Sequence, residues 1–260
     1  MEWGYTISGF AVGLLVGLTG VGGGSLMTPL LIFLFHINPV KAVGPDLLFA
    51  AITKSTGIWV HGRKGHIELR VVGLLALGSL PTALFSLALI RNLLESDLKT
   101  LTAMVTSLMG IALILTAGAI FMRHRINTLG EGVKRLIPNW RTLRPYATVG
   151  TGVILGFLVP LTSVGAGAFC AAMLMFLYPS MATRNIVGTD LAHAVPLTLV
   201  AGLGHLQMGT VNLDLLLALL LGSLPGIYLG SHMSSRVPER VLRTLLAGML
   251  LLIGTKLIFS

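Results

Sequence analysis

Apolar residues along this chain run in long blocks, not in the alternation of a half-buried strand. Crossing a bilayer's hydrocarbon takes about 20 apolar residues. Six blocks reach that length: residues 43–61, 70–90, 98–122, 186–205, 213–235 and 241–259. Two further regions differ. Apolar arms at 4–18 and 25–35 flank Thr19-Gly20-Val21-Gly22-Gly23-Gly24, and arms at 146–161 and 168–178 flank Thr162-Ser163-Val164-Gly165-Ala166-Gly167. At 1.5 Å per residue such arms span roughly 16–24 Å. That length suits a helical hairpin that reaches the membrane midplane and returns, broken where the glycines cannot sustain a helix. The pattern therefore predicts an all-α integral membrane protein with about eight membrane segments.

The blocks repeat. The two glycine-containing turns align at an offset of 143 residues. At an offset of 144, Val43-Gly44-Pro45-Asp46-Leu47 meets Val187-Gly188-Thr189-Asp190-Leu191, His61 meets His205, and Gly78-Ser79-Leu80-Pro81 meets Gly222-Ser223-Leu224-Pro225 without a mismatch. Charge sets the relative orientation of the copies. The loop from Gly62 to Arg70 is basic, whereas its counterpart from Leu206 to Asp214 has no Lys or Arg. The next loop is nearly balanced in the first copy, while its counterpart carries Arg236, Arg240 and Arg243 against Glu239. Corresponding loops then lie on opposite sides by the positive-inside rule. The expected organisation is two inverted repeats, residues 1–122 and 146–260, each a broken hairpin plus three transmembrane helices, joined by a basic cytoplasmic linker at 123–145. Inversion of this kind is common in secondary transporters.

Composition narrows the class. Hydrophobic residues make up 54% of the 260 and charged residues 10%, against about 25% charged in soluble domains, and mean hydropathy is +0.90. A soluble enzyme and a disordered chain are both excluded. The formal net charge of +9 would point to nucleic acid in a soluble protein. Here thirteen of the 18 basic residues fall in loops assigned to the cytoplasmic side, so they set topology and no nucleic-acid partner is expected. Lys41, Arg91, Lys99 and Lys256 fall outside, both termini face outward, and Lys54 lies within a span. The single cysteine, Cys170, excludes a disulfide framework within the chain, and the N-terminus lacks the basic stretch of a signal peptide.

The candidate chemistry lies at the turns. Arms beginning near Ser25 and Ala168 present helix N-termini, whose free N–H groups and partial positive charge favour anions. Gly20, Gly22, Gly23, Gly24, Gly165 and Gly167 would let an anion approach the backbone, and the hydroxyls of Thr19, Ser25, Thr162 and Ser163 could donate to it. The competing reading is that these glycines only let helices cross closely. Lys54 sits about 11 residues into its span, at a cost of at least ~2.5–3.5 kcal/mol on insertion scales. It either adds positive charge to an anion site or pairs with Asp46 or Asp190, Asp46 being about 12 Å away along the same helix. Asp46 and Asp190 could cap helix starts, or serve gating or proton coupling together with His193, three residues beyond Asp190. His61 and His205 are expected as interfacial anchors, and Pro81 and Pro225 as kinks. An intramembrane hydrolase would use Ser163 as nucleophile with His193 or His205 as base. A metal permease would use His61, His193, His205 and Asp190, against the positive helix ends. No metal ligand set, catalytic residue or cofactor is expected.

Gly20-x-Gly22-Gly23-Gly24 with Pro29-Leu30, then Ala42-Val43-Gly44-x-Asp46-Leu47 and a His-x-x-x-Gly turn, resembles the TauE/SafE family of sulfite exporter-like permeases. The second copy fits as well, through Val187-Gly188-Thr189-Asp190-Leu191, His205 and Gly209, and the resemblance covers residues 5–258. Two departures are visible: the second turn lacks a full glycine run, and Asp46 and Asp190 stand where many members have Ser. The resemblance implies a multi-pass carrier of the bacterial inner membrane that exports sulfite or a related organosulfur anion by alternating access, with coupled uptake of another organic anion as the alternative. Its partners would be the anion, the lipid bilayer and, as an open arrangement, a second copy in a homodimer.

Overall fold

The computed structural model describes residues 2–19, 24–233 and 239–259. Among them are eleven α-helices and no strand: α1 (Glu2–Thr19), α2 (Gly24–Phe35), α3 (Pro39–Arg63), α4 (Leu69–Ser96), α5 (Leu98–Phe121), α6 (Arg123–Leu136), α7 (Trp140–Thr162), α8 (Ala168–Leu177), α9 (Thr183–Gln207), α10 (Leu213–Met233) and α11 (Glu239–Phe259). The expected turn residues Gly20, Gly22 and Gly23 lie outside the described residues. Thr19 ends α1 and Gly24 and Ser25 begin α2, but the placement of the Thr19 and Ser25 side chains lies outside the description.

Local chemistry sets several boundaries. Asn38 accepts the Val40 N–H at 3.0 Å, and Pro39 occupies the first position of α3, where a missing N–H costs nothing. Asp97 caps α5 by accepting the Thr100 N–H at 3.0 Å. Among the described residues five helices, α4, α5, α7, α9 and α10, are long and apolar enough to cross a membrane. Shorter apolar stretches run over Trp3–Leu18, Leu26–Phe35, Ala168–Leu177 and Thr244–Phe259. The large apolar side chains Leu77, Phe85, Leu217, Leu221, Leu245 and Leu252 all face outward, a surface that suits hydrocarbon and would aggregate in water.

One arm departs from the sequence expectation. The arm expected at 146–161 is the end of a 23-residue helix that begins at Trp140, about 35 Å long. Counting apolar residues missed its first turns because the exposed Arg141 and the half-buried Arg144 interrupt the apolar run and carry the helix into the basic segment. The rest of that segment is α6, a helix that lies against α8, where a Cβ on Gly130 would strike the Phe176 carbonyl.

Helices pair through small residues, as expected where lipid offers no hydrophobic drive to associate. Gly9, Gly13 and Gly17 of α1 lie against the backbone of Leu219, Ser223 and Ile227 of α10, in rising order, so the two helices run parallel. Gly152 and Gly156 of α7 meet the Leu75 and Ser79 carbonyls of α4, also in parallel. By contrast α3 and α9 run antiparallel, with Gly44 at His205, Gly202 at Leu48 and Gly57 at Leu191. Helices α5 and α11 are likewise antiparallel, Gly110 meeting Ile258 and Gly254 meeting Leu113. The short helices α2 and α8 rest on α3 and α9, close to the buried core of Met27, Leu31, Leu47, Phe49, Leu155 and Leu174.

Candidate functional site

The break between α7 and α8 is built by its own sequence. Ser163 ends α7 in the left-handed region at φ 57°. The Thr162 hydroxyl donates to Leu158 O at 2.8 Å and accepts the Val164 N–H at 3.1 Å. Gly165 adopts φ +112°, a region that side chains with a Cβ avoid. Its carbonyl accepts the N–H groups of Gly167 (2.9 Å) and Cys170 (3.1 Å). No side chain caps α8. The Ala168 and Phe169 N–H groups are therefore left without a protein acceptor among the described residues, at the positive end of the helix.

Lys54 reaches this turn from α3. It is 4% exposed, and its Nζ donates to the Ala166 carbonyl, not to Asp46 or Asp190. A cavity of about 80 Å³ opens beside it, lined by Lys54, Gly167, Ala168, Ala171, Asp190 and Arg123 among others. Arg123 stands where α5 passes into α6, so the cavity leads from the broken turn toward the end of the bundle that carries α6. Its size holds a few waters or a small ion.

The two aspartates are placed differently. Asp46 is fully buried eight residues into α3, counting from Pro39. One carboxylate oxygen accepts the Thr28 N–H at 3.1 Å and the Thr28 hydroxyl. Its role is that of a cap, aimed at α2 and not at the start of its own helix. The Ser163 hydroxyl neighbours the same carboxylate, yet Ser163 Oγ and Asp46 Oδ1 have no hydrogen-bond partner. Asp190 lines the cavity, with Lys54 and Cys170 as neighbours, and its Oδ1 is likewise unpartnered.

The histidines are bound elsewhere. His193 meets Ser79 of α4 through Nε2 at 2.8 Å, so it does not pair with Asp190. The expectation of His205 as an interfacial anchor is corrected: it is 2% exposed. Its Nε2 lies 2.9 Å from Pro160 O and its Nδ1 2.9 Å from the Thr210 hydroxyl. A carbonyl only accepts, so Nε2 carries the proton in the neutral ring and Nδ1 is left as an acceptor facing Thr210, whose hydroxyl also lies 3.0 Å from His205 O. His205 thus caps an orphan carbonyl at the end of α7. His61 is half-buried beside His66, ring centroids 5.5 Å apart. Neither base that a Ser163 nucleophile would need bonds to it, and no group of three or more metal-ligating side chains gathers among the described residues.

Of the residues singled out by sequence, Lys54, Gly167 and Asp190 come together on one cavity, while Asp46 and Ser163 meet beside it. Thr162 and Gly165 shape the turn. Sequence reasoning overlooked Arg123, Thr28 and Cys170. Arg123 carried a signal, as the first cation after an apolar block, but counting it with the linker hid it.

The family model of the sulfite exporter TauE/SafE matches residues 5–257. A probable membrane transporter protein, YjnA of Bacillus subtilis, is 39% identical over 257 residues, covering 97% of this chain and 98% of that protein. A second from Bacillus subtilis, the probable membrane transporter protein YdhB, is 28% identical over 94% of this chain and 97% of its own. A probable membrane transporter protein of Methanocaldococcus jannaschii is 31% identical over 76% of this chain and 69% of its own. No solved structure matches.

Proposed function

Because the chain belongs to the sulfite exporter TauE/SafE family and is a multi-pass membrane transporter, we propose that it moves a small anion, bound between Lys54 and the start of α8, by alternating access. One observation carries this reading. A buried lysine, bonded to a backbone carbonyl and not to a carboxylate, reaches a broken helical turn, and Ala168 at the uncapped start of α8 lines the same cavity. Lysine and helix end both stabilise negative charge. The preferred cargo is sulfite or a related organosulfur anion, exported across the inner membrane. Outward movement of a dianion against an inside-negative potential is favourable by ~2.3 kcal/mol per charge per 100 mV, so export requires no coupling ion.

The packing supports an inverted repeat. At the sequence offsets above, Gly9 and Gly13 against Leu219 and Ser223 correspond to Gly152 and Gly156 against Leu75 and Ser79. The corresponding helices α3 and α9 run antiparallel where they touch, as do α5 and α11. A two-fold axis in the membrane plane accounts for both facts. With the basic linker cytoplasmic and the termini outside, the cavity opens inward, to the side from which an exported anion enters.

Asp190 favours a second reading, coupled uptake, since a buried carboxylate on the cavity with its Oδ1 unpartnered can carry a proton. Counterflow in proteoliposomes against sulfite, sulfate, sulfoacetate, taurine, thiosulfate and small carboxylates tests the assignment. Exchange confined to sulfur oxyanions and independent of a pH gradient is expected. Exchange of carboxylates driven by a pH gradient would replace export with uptake, and exchange of none of them would overturn both.

A further inference from the structure

A second polar cavity, of about 320 Å³, lies away from Lys54 at the end of the bundle that carries α6. It is enclosed by the end of α6, the first turn of α7 and the turn between α8 and α9. Trp140 lines it, is 8% exposed, and its Nε1 has no hydrogen-bond partner. Arg144 lines it too, its guanidinium stacked on the Tyr178 ring at 4.4 Å and its Nε equally unpartnered. Lys134 reaches across from α6 to the Ser180 hydroxyl at 2.9 Å and lies 3.9 Å from Glu131. One carboxylate, Glu68, completes the wall, 3.4 Å from Asn185 Nδ2.

The chemistry of these groups selects a ligand class. An indole N–H and a guanidinium only donate, so what satisfies Trp140 and Arg144 together must accept. Two cations, Arg144 and Lys134, face the single lining carboxylate Glu68, with Glu131 beside Lys134. Helices α7 and α9 both begin here, and neither Asn139 nor Ala182 caps them with a side chain, which adds two positive helix ends. The first half of the chain differs at the matching place. There Phe35 and Tyr5 stack at 4.6 Å, where the second half has Tyr178 and Thr148 joined by a 3.0 Å hydrogen bond.

We infer that this pocket binds a phosphate-type oxyanion, held by Trp140, Arg144 and Lys134, at a site separate from the transport path. The oxyanion is either free in solution or the headgroup phosphate of an anionic lipid. Its occupancy ties α6 to the C-terminal end of α8, whose N-terminal end forms the transport site, and so offers a handle for regulation.

The test uses the full chain in phosphatidylcholine nanodiscs, following the thermal midpoint as inorganic phosphate is titrated. Phosphate is expected to raise the midpoint equally in the wild type and in Lys54→Met, and to act at least tenfold more weakly on Arg144→Gln and on Lys134→Gln. The exposed Lys134 makes its variant safe to fold should Arg144→Gln fail. If the natural source is lipid, phosphatidylglycerol in the disc raises the midpoint by itself and blunts the response to phosphate. A shift that persists in both pocket variants, a shift lost only in Lys54→Met, or none from either source overturns the inference.

Discussion

Helices α3 and α9 occupy matching places in the two halves, yet their polar residues are used in opposite ways. Where α3 has Lys54, α9 has Thr198, whose hydroxyl bonds to its own helix at Ala194 O (2.8 Å). Asp46 is held by Thr28, whereas Asp190 faces the cavity with Oδ1 unpartnered. The place of His193 is taken in α3 by the buried Phe49. One polar cluster results, its cation Lys54 from α3 and its carboxylate Asp190 from α9. On the proposed reading, such an asymmetric cradle gives the anion one orientation, where a symmetric one would bind it in two equivalent ways.

The largest effect should come from moving the cation. Lys54→Thr is expected to lower anion flux more than tenfold while folded protein remains in the membrane. Adding Thr198→Lys should not restore it, because the turn between α7 and α8, whose Ala166 carbonyl Lys54 holds, stays without its cation. Recovery of flux in the double variant would show the halves to be interchangeable.

The aspartates come next. Asp46→Asn removes the charged acceptor of two Thr28 bonds and should destabilise the fold by ~2 kcal/mol, read as a lower denaturation midpoint. Asp190→Asn should leave the midpoint nearly unchanged and alter the pH dependence of flux. Equal loss of stability in both would erase the distinction between them.

The histidines offer a smaller contrast. His205→Ala uncaps Pro160 O and should cost ~1–3 kcal/mol, whereas His61→Ala, half-buried and without a hydrogen bond at Nδ1, should cost much less. Thermal melts of the two purified variants compare them directly.

The smallest effect lies outside the spans. The bonds from Thr100 hold the exposed Asp97 carboxyl below its ordinary value of 3.8. A depressed carboxyl stabilises the fold at pH well above that value, and the contribution fades as the pH falls through the lower folded value. The gap in melting temperature between the wild type and Asp97→Ala should be small near neutral pH and narrower near pH ~3.

Much of the helix order was legible because hydrophobic blocks bounded by charge are a long, strong signal, and α4, α5, α9 and α10 fall close to the expected spans. Lys54 stood out for the same reason, as a cation inside such a block. The start of α7 was not legible, because its first turns are polar and only packing keeps them helical. Nor was the Thr28–Asp46 bond, or the capping of Pro160 by His205: both join different helices, and position within one helix says nothing of what a neighbour presents. Arg123 became visible as a lining residue only once α5, α8 and α9 were assembled around it.

The proposed transport rests on a small anion binding at Lys54 and being carried from there. Anion-evoked charge movement on a solid-supported membrane, wild type against Lys54→Ala at matched protein density, tests it most directly. A current in the wild type that sulfite or a related oxyanion evokes, and that the variant lacks, is the predicted result. An equal current in Lys54→Ala would contradict the account.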